Sequence, residues 1–469
     1  MSAGKYIPTI GIETHVQLKT KTKLFAAVDN NARDAAPNTL ISHICVGMPG
    51  ALPYLNQAAI ELAARAAFAF NTKPQAFSKF DRKHYFYPDL PKGYQISQYD
   101  QPIIVGGHID ILVAGQAKRI GITRAHLEED AGKNIHPAGA DYSLVDLNRA
   151  GTPLLEIVSE PDIHSAVEAK AYARELYLLM KYSGVSDVDL YHGNLRFDVN
   201  ISVSPNASKL GTRSEIKNLN SFRSVENAVK FEINRQIELL ERGGVVVQET
   251  RGWDEAKQKT TSQRGKEEAH DYRYMPEPDI PPVELSESDI SRFKKTLPEL
   301  PPAIRQKLTT IKVEAKVVED ILDKPDVVPT ALEAISKTSA ENARRVIFQL
   351  LEASNMSHVS VTDQIKVAEM VSDGELNSTA GKLVAQENLK TGEAPARIIE
   401  KLNLIQVSDE DEIEKIVAKV LEENKKAASD VKEGELKAIG FLVGQVMAKS
   451  HGKANPGVAQ KIIKKQLGL

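Results

Sequence analysis

Three short stretches in the first half of this chain alternate polar and apolar residues almost strictly. Side chains of a strand repeat every ~2 residues, so such stretches fit half-buried strands, with one face in a core and the other free for chemistry. In Ile12-Glu13-Thr14-His15-Val16-Gln17-Leu18, the side chains of Glu13, His15 and Gln17 point one way and the rest the other. Leu195 to Val203 sets Arg196, Asp198, Asn200 and Ser202 against Leu195, Phe197, Val199, Ile201 and Val203. Arg213-Ser214-Glu215-Ile216-Lys217 repeats the pattern.

A solvated face of an antiparallel sheet also alternates, but it draws on Lys, Thr and Glu at random. These faces carry Glu with His, Asp with Asn, and Glu with Lys, and the acidic run Glu128-Glu129-Asp130 falls between them in sequence. The pattern points to an oxygen-rich metal site built from Glu13, Asp198, Glu215 and one of Glu128 and Glu129, with His15 alongside. Magnesium favours such hard ligands and keeps waters and substrate phosphates in its shell. Zinc would call for more His or Cys. With Arg213 and Lys217 nearby, the set suits phosphoryl transfer, where catalysis is mostly positioning and charge neutralisation. The chain has no Gly-x-x-x-x-Gly-Lys-Ser/Thr loop and no Gly-x-Gly-x-x-Gly run, so any ATP binding uses a different design.

A chain of 469 residues, 42% hydrophobic, can bury a large core and should divide into about three domains. Residues 1–295 read as one α+β domain of mostly antiparallel strands, with helices at Gln57 to Asn71 and Ser165 to Ser183. A hairpin is predicted at residues 108–124 across the turn Ala114-Gly115-Gln116-Ala117. Prolines at 276–282 and 298–302 forbid helix interiors and central strands and mark a boundary. Residues 296–405 read as an all-helical domain, with a break near Leu402 to Asp409 before a helical tail over 406–469. Helices are expected at Ala340 to Ala353 and Glu412 to Glu423.

A net charge of -3 excludes a general polycation, so any nucleic-acid contact needs a local patch. One cysteine, Cys45, excludes an internal disulfide framework, and with no apolar run near the ~20 residues of a membrane span the protein is expected in the cytoplasm, without a membrane partner. Two segments could contact nucleotides. Lys79 to Asp89 interleaves cations with aromatics, which could stack a base and hold phosphates, or could be an aromatic-rich strand entering a turn at Pro88. The amide-rich Tyr94 to Pro102 segment is expected to line the same cleft. At the far end Lys437, Lys449, His451, Lys453, Lys461, Lys464 and Lys465 surround a helix-loop-helix that could grip a phosphate backbone, or form an ordinary solvated face. Cys45 reads as a core residue.

Residues Val145 to Pro161, with Asp146-Leu147-Asn148-Arg149-Ala150-Gly151-Thr152-Pro153 at their centre, resemble the signature of the GatB family of aspartyl/glutamyl-tRNA amidotransferase subunits. Gly11 to His15, Lys79 to Pro91, His126 to Lys133, Glu215 to Phe222 and Asp271 to Asp279 resemble it in the same order, as does Gly440 to Gln445. The resemblance implies a cradle-shaped α+β domain followed by helical domains. It implies that ATP phosphorylates the side-chain carboxylate of Glu-tRNA(Gln) or Asp-tRNA(Asn), after which ammonia displaces phosphate. Magnesium ligands then fall on Glu13, His15, Glu129, Asp198 and Glu215. ATP and substrate contacts fall on Lys79, Lys83, Asn148, Arg149, Lys217 and Asn220, and tRNA contacts on Lys449, Lys453 and Lys461. Implied partners are an amidase subunit, a small third subunit that completes a heterotrimer, and tRNA(Gln) or tRNA(Asn). Many members carry a zinc knuckle of Cys pairs where this chain has Ala26, Val28, Ser42 and Cys45, so zinc is not expected and the Phe25 to Cys45 loop should be held by packing and turns alone. A tRNA-binding adaptor with a merely structural sheet is the alternative. A synthetase relative is disfavoured, because His-Ile-Gly-His and Lys-Met-Ser-Lys-Ser elements are absent.

Overall fold

The computed structural model describes residues 5–206, 209–265, 271–354, 356–404, 410–432, 437–450 and 454–469. It divides into two compact units, Met1–Pro301 and Pro302–Leu469. Strands and helices mix in the first and helices alone fill the second, which is the α+β class expected.

The first unit begins with β1 (Ile7–Gln17), β2 (Phe77–Ser78), β3 (Asp81–His84), β4 (Tyr94–Ser97) and β5 (Ile104–Val105). There follow β6 (His108–Val113), β7 (Gln116–Glu129), β8 (Lys133–Ile135), β9 (Leu144–Asp146), β10 (Pro153–Ser159) and β11 (Leu195–Ser204). The last are β12 (Ser214–Leu219), β13 (Glu249–Asp254), β14 (Lys259–Gly265), β15 (Met275–Pro276) and β16 (Val283–Glu284). Its helices are α1 (Gln57–Ala69), α2 (Ala166–Tyr182), α3 (Phe222–Glu241) and α4 (Glu287–Lys295). Nine strands join in one sheet, in the order β14-β13-β12-β11-β1-β10-β7-β5, with β6 paired to β7. Its pairings are antiparallel except for β12 with β13. A separate sheet of β15, β3 and β4 lies in the same unit.

Alternation sorts the large sheet into two faces. Ile12, Val16, Leu127, Leu155, Ile157, Phe197, Val199, Ile201 and Ile216 are almost wholly buried and share one core with residues of α1, α2 and α3. Each of those helices starts at a side-chain cap: Asn56, Ser165 and Ser221 accept from Ala58 N, Glu168 N and Ser224 N. The pattern in sequence did not single out α3, because its buried stripe runs Val225, Ala228, Val229, Glu232, Gln236 and turns polar halfway. Glu232 is tolerated there because Arg235, Arg251 and the Thr260 hydroxyl satisfy its carboxylate.

The 19–56 region is held by more than packing. Lys23 is fully buried, its Nζ donating to the Leu40 carbonyl at 2.7 Å and standing 3.6 Å from Cys45 Sγ. Asn56 donates to the Thr22 and Lys23 carbonyls at 3.0 and 3.1 Å while it caps α1. The expectation of packing and turns alone omitted this polar pin. Cys45 is buried, as read.

The second unit contains eleven helices among the described residues, from Pro301–Thr310 to Pro456–Leu467. Those expected in sequence stand at Ala340–Glu352 and Glu410–Glu423. The last helices enclose their own core of Ile413, Val417, Val420, Leu442, Val446, Ile462 and Ile463. The break expected between Leu402 and Asp409 falls on residues 405–409, outside those described. No described helix is long and apolar enough to cross a membrane.

The β6–β7 turn is tighter than the four residues expected. Val113 pairs with Gln116 and Leu112 with Ala117, leaving Ala114-Gly115 as a two-residue loop with φ of 49° and 80°. Positive φ at both positions matches the right-handed strand twist but strains an alanine. Ala114→Asn should therefore stabilise the first unit by about 1 kcal/mol in chemical denaturation; a neutral or destabilising result would contradict that strain.

Candidate functional site

The register of the large sheet aligns the polar side chains. His15 faces Glu156 on β10, which faces His126 on β7. Glu13 faces Asp198 on β11, and Asn200 faces Glu215 on β12. Residues opposed across antiparallel strands share a face, so five adjacent strands contribute to one polar surface.

At its centre, His15 Nε2 lies 3.4 Å from Glu156, 3.7 Å from Glu13 and 3.8 Å from Glu128 carboxylate oxygens. His126 Nε2 lies 3.6 Å from Glu156 and 3.7 Å from Glu128. Glu156 thus stands between two imidazoles. Two triads result, Glu13–His15–Glu156 and His126–Glu128–Glu156, each offering ligand atoms within 4.8 Å of one another. Beside them Lys217 Nζ bridges Asp198 at 2.9 Å and Glu215 at 3.2 Å, and Glu215 also accepts from the Thr250 hydroxyl at 3.0 Å.

The cluster's electrostatics fit a divalent cation. Burial and the Glu156 carboxylate push Glu13 up to about 7, a sign of crowded negative charge. Burial would lower His15, but its hydrogen bond to Glu156 and the carboxylates of Glu156, Glu128 and Glu13 outweigh this and raise it to about 9. Burial would raise Glu156, yet His126 and His15 hold it well below the usual carboxylate range. Glu128 is also lowered, as its hydrogen bond with His126 and nearby Lys83 overcome burial. Three carboxylates and two imidazoles, with protons standing where a cation would, suit an ion that takes mainly oxygen and tolerates nitrogen.

The structure brings some of the expected ligands together and holds others apart. Glu13 and His15 lie in the cluster, whereas Asp198 and Glu215 grip Lys217 one and two strands away. Glu129 lies elsewhere: it is ion-paired with Lys92 and accepts from the Ile96 backbone at 2.9 Å. The physical reason is the strand repeat, which sends Glu128 to the His126 side and Glu129 to the other. Glu156 and His126 were not read as ligands from sequence. Their signal was present: Glu156 is a lone charge inside Leu154-Leu155-Glu156-Ile157-Val158, and His126 precedes Glu128 by two.

Several residues expected to touch ATP or substrate are engaged in structure. Lys79 pairs with Asp100 at 3.1 Å and Asp81 at 3.5 Å. Asn148 is buried, donating to Ala36 O at 2.7 Å and accepting from Leu40 N at 2.8 Å. Arg149 donates to the Ala131 and Gly132 carbonyls at 3.0 and 2.6 Å. Asn220 is exposed immediately before the α3 cap. Lys83 differs, with no carboxylate in ion-pair reach among the described residues; it lies 4.9 Å from the Tyr272 ring centroid. The amides expected to line a cleft serve the core: Gln95 donates to Glu129 O at 2.7 Å, and Gln98 accepts from Ile103 N and Leu127 N. In the tail, Lys449 pairs with Glu423, Lys465 with Glu414, and Lys461 is exposed. Lys453 and His451 lie outside the described residues.

Together these features define an α+β domain with a cluster of ionisable side chains on one face of its large sheet, followed along the chain by a helical module. Residues 8–291 match the model of the GatB/GatE catalytic domain, and residues 326–467 that of the GatB domain. The chain belongs to the GatB family of aspartyl/glutamyl-tRNA(Asn/Gln) amidotransferase subunits. It is 46% identical to the GatB subunit of the aspartyl/glutamyl-tRNA(Asn/Gln) amidotransferase from Persephonella marina, over 99% of this chain and 100% of the relative. The counterparts from Geotalea daltonii and Carboxydothermus hydrogenoformans are 45% and 44% identical, each covering 99% of both chains. Among solved structures, the tRNA-binding domain of glutaminyl-tRNA synthetase from Saccharomyces cerevisiae aligns with 36% of this chain and 93% of its own, at 15% identity and a TM-score of 0.25, a likeness that bears on neither fold nor function.

The histidine makes the charge state testable. The His15 value of about 9 lies above its ordinary 6.5, so its proton stabilises the metal-free fold fully below pH 6.5 and loses that effect as pH rises through 9. An NMR titration of the metal-free protein should place the His15 midpoint well above 6.5; a midpoint at or below that value would contradict the carboxylate cage.

Proposed function

We propose that this chain is the component of a tRNA-dependent amidotransferase that activates the side-chain carboxylate of Glu-tRNA(Gln) or Asp-tRNA(Asn) with ATP. The observation that carries the reading is the Glu13–His15–Glu156–Glu128–His126 cluster on an otherwise ordered sheet face. The names of the relatives support only the class, a tRNA-dependent amidotransferase subunit; in the proposed sequence a carboxylate oxygen attacks the γ-phosphorus, ADP departs, and ammonia then displaces phosphate from the acyl carbon.

Magnesium held by these five residues would neutralise phosphate charge during the transfer. The chain's own groups do the rest. Lys217, fixed between Asp198 and Glu215, sets a permanent positive charge on β12, two strands from β1, its affinity for its proton raised because those two carboxylates outweigh burial. His15 would have to give up its proton for its nitrogen to hold a cation, which would couple ion binding to proton release. The reading includes an amidase partner that supplies ammonia, a small third protein completing a heterotrimer, and tRNA(Gln) or tRNA(Asn) held partly by Lys449, Lys453 and Lys461, all in the cytoplasm.

The test is ATP- and Mg²⁺-dependent conversion of Glu-tRNA(Gln) to Gln-tRNA(Gln), by this chain with its amidase partner and with free ammonia as parallel donor. Glu156→Gln should cost about a hundred-fold or more in kcat with tRNA affinity little changed, as expected when charge stabilisation at the reacting centre is lost. Full activity in that variant would remove the cluster from the chemistry, and tRNA binding with no ATP consumption by the unmutated protein would favour an adaptor.

A second variant weighs the tail. Deleting residues 408–469 should raise the KM for charged tRNA with kcat nearly retained, and lessen the salt dependence of binding. An unchanged KM would return those lysines to a solvated face.

A further inference from the structure

The parallel pairing of β12 with β13, near one edge of the large sheet, sets Glu215 directly beside Thr250. Thr250 is buried, and its hydroxyl donates to Glu215 Oε2 at 3.0 Å.

Glu215 is in turn one side of a clamp. Lys217, next along the same face of β12, stands 3.2 Å from Glu215 and 2.9 Å from Asp198 on β11. The last torsion of a glutamate is broad, so the carboxylate has little orientation of its own. An ammonium on its flexible stem has less. Both must take their direction from a partner that does not turn. Thr250 meets that need, because a β-branched side chain is stiff at χ1 and keeps its hydroxyl aimed.

The strand that carries Thr250 is anchored from behind. Alternation sends Arg251 to the opposite face, level with the buried Ile216. There its Nε donates to the Thr260 hydroxyl at 2.8 Å and lies 3.5 Å from Glu232 of α3. The Glu232 carboxylate is wholly out of solvent and also accepts from the Thr260 hydroxyl at 3.1 Å. Removing one member of a buried ion pair strands the other, so α3, β13 and β14 are tied at this point. In front of it, the β13–β14 register shifts between Thr250 and Arg251, with Gln263 as the extra residue. A bulge of this kind re-aims neighbouring side chains. The sequence Thr250–Glu215–Lys217–Asp198 therefore runs from a fixed strand to a half-exposed ammonium, and leaves one of its N–H donors for a ligand.

We propose that Thr250 is a positioning residue for phosphoryl transfer: through Glu215 it fixes the Lys217 ammonium where the transferred phosphoryl group would meet it. The inference rests on the function proposed above, since it takes that reaction as the one Lys217 serves. A cation held in place beforehand needs no reorganisation at the moment of reaction, so the hydroxyl should act on turnover and leave tRNA binding alone.

The test compares Thr250→Val with Thr250→Ser in the full chain assembled with its amidase partner. Valine keeps the shape and removes the hydroxyl. Thr250→Val should lower kcat for ATP-dependent amidation about ten-fold, the scale of one hydrogen bond to a charged group, with the KM for Glu-tRNA(Gln) unchanged. Thr250→Ser should restore most of the rate. Thr250→Ala gives the same reading if the valine variant does not fold. In a Lys217→Met background Thr250→Val should cost little more, because the hydroxyl acts through that ammonium. An unchanged kcat, a loss that the valine and serine variants share, or a loss that adds in full to that of Lys217→Met overturns the proposal. Crystal structures of the two variants read placement without turnover. The Glu215–Lys217 contact should open beyond the ion-pair limit of about 4 Å in Thr250→Val and persist in Thr250→Ser. A contact unmoved in Thr250→Val overturns the positioning role whatever the kinetics. If the unmutated complex amidates no tRNA, the function proposed above fails, and the displacement of Lys217 still decides whether Thr250 positions it.

Discussion

Everything at the candidate site depends on the pairing of β1 with β10 and β11. That register sets His15 opposite Glu156 and Glu13 opposite Asp198, and it is enforced from the other side of the sheet. A slip of one residue would carry Ile12 and Val16 to solvent and Glu13 and His15 into the core beneath α1, α2 and α3. The apolar face therefore fixes where the charges stand. Burial of Phe197 and Val199 and the position of Asp198 are two readings of one register.

Charge is concentrated on the open face but locally compensated. Glu156 is flanked by His15 and His126, Asp198 and Glu215 by Lys217, and Asp130 by Arg196 at 3.0 Å. Partly buried carboxylates without partners would protonate or destabilise the sheet. Where compensation is incomplete the consequence is visible: Glu13, crowded by burial and Glu156, rises to about 7. Lys83 shows the converse, a cation kept charged by carboxylates that it does not touch.

The rest of the first unit supports that face. The amides of Gln95 and Gln98 spend their hydrogen bonds on backbone groups of β7 and its neighbours, and Asn148 and Arg149 tie the loop before β10 to residues 36–40 and 131–132. Residues that look suited to a ligand in sequence are here the joints that hold β7 and β10 at their spacing. Lys23, buried against Leu40 and Cys45, does the same for the loop leading to α1.

Sequence by itself determined the strands and their faces, because a period of two is a local property: Glu13, His15, Asp198 and Glu215 could be placed on a polar surface without knowing any neighbour. It also determined the helical character of the second unit and, through ordered motifs, the family. It did not determine which acids meet. Glu156 was hidden in an apolar run, and the choice between Glu128 and Glu129 turned on one residue of alternation. Proximity across β7, β10 and β1 comes from pairings between segments some 30 to 140 residues apart, as in Glu156 with His126 and His15. Only the tertiary structure decided that, because strand order and register are set by how a whole sheet buries its apolar face, and no local repeat encodes them.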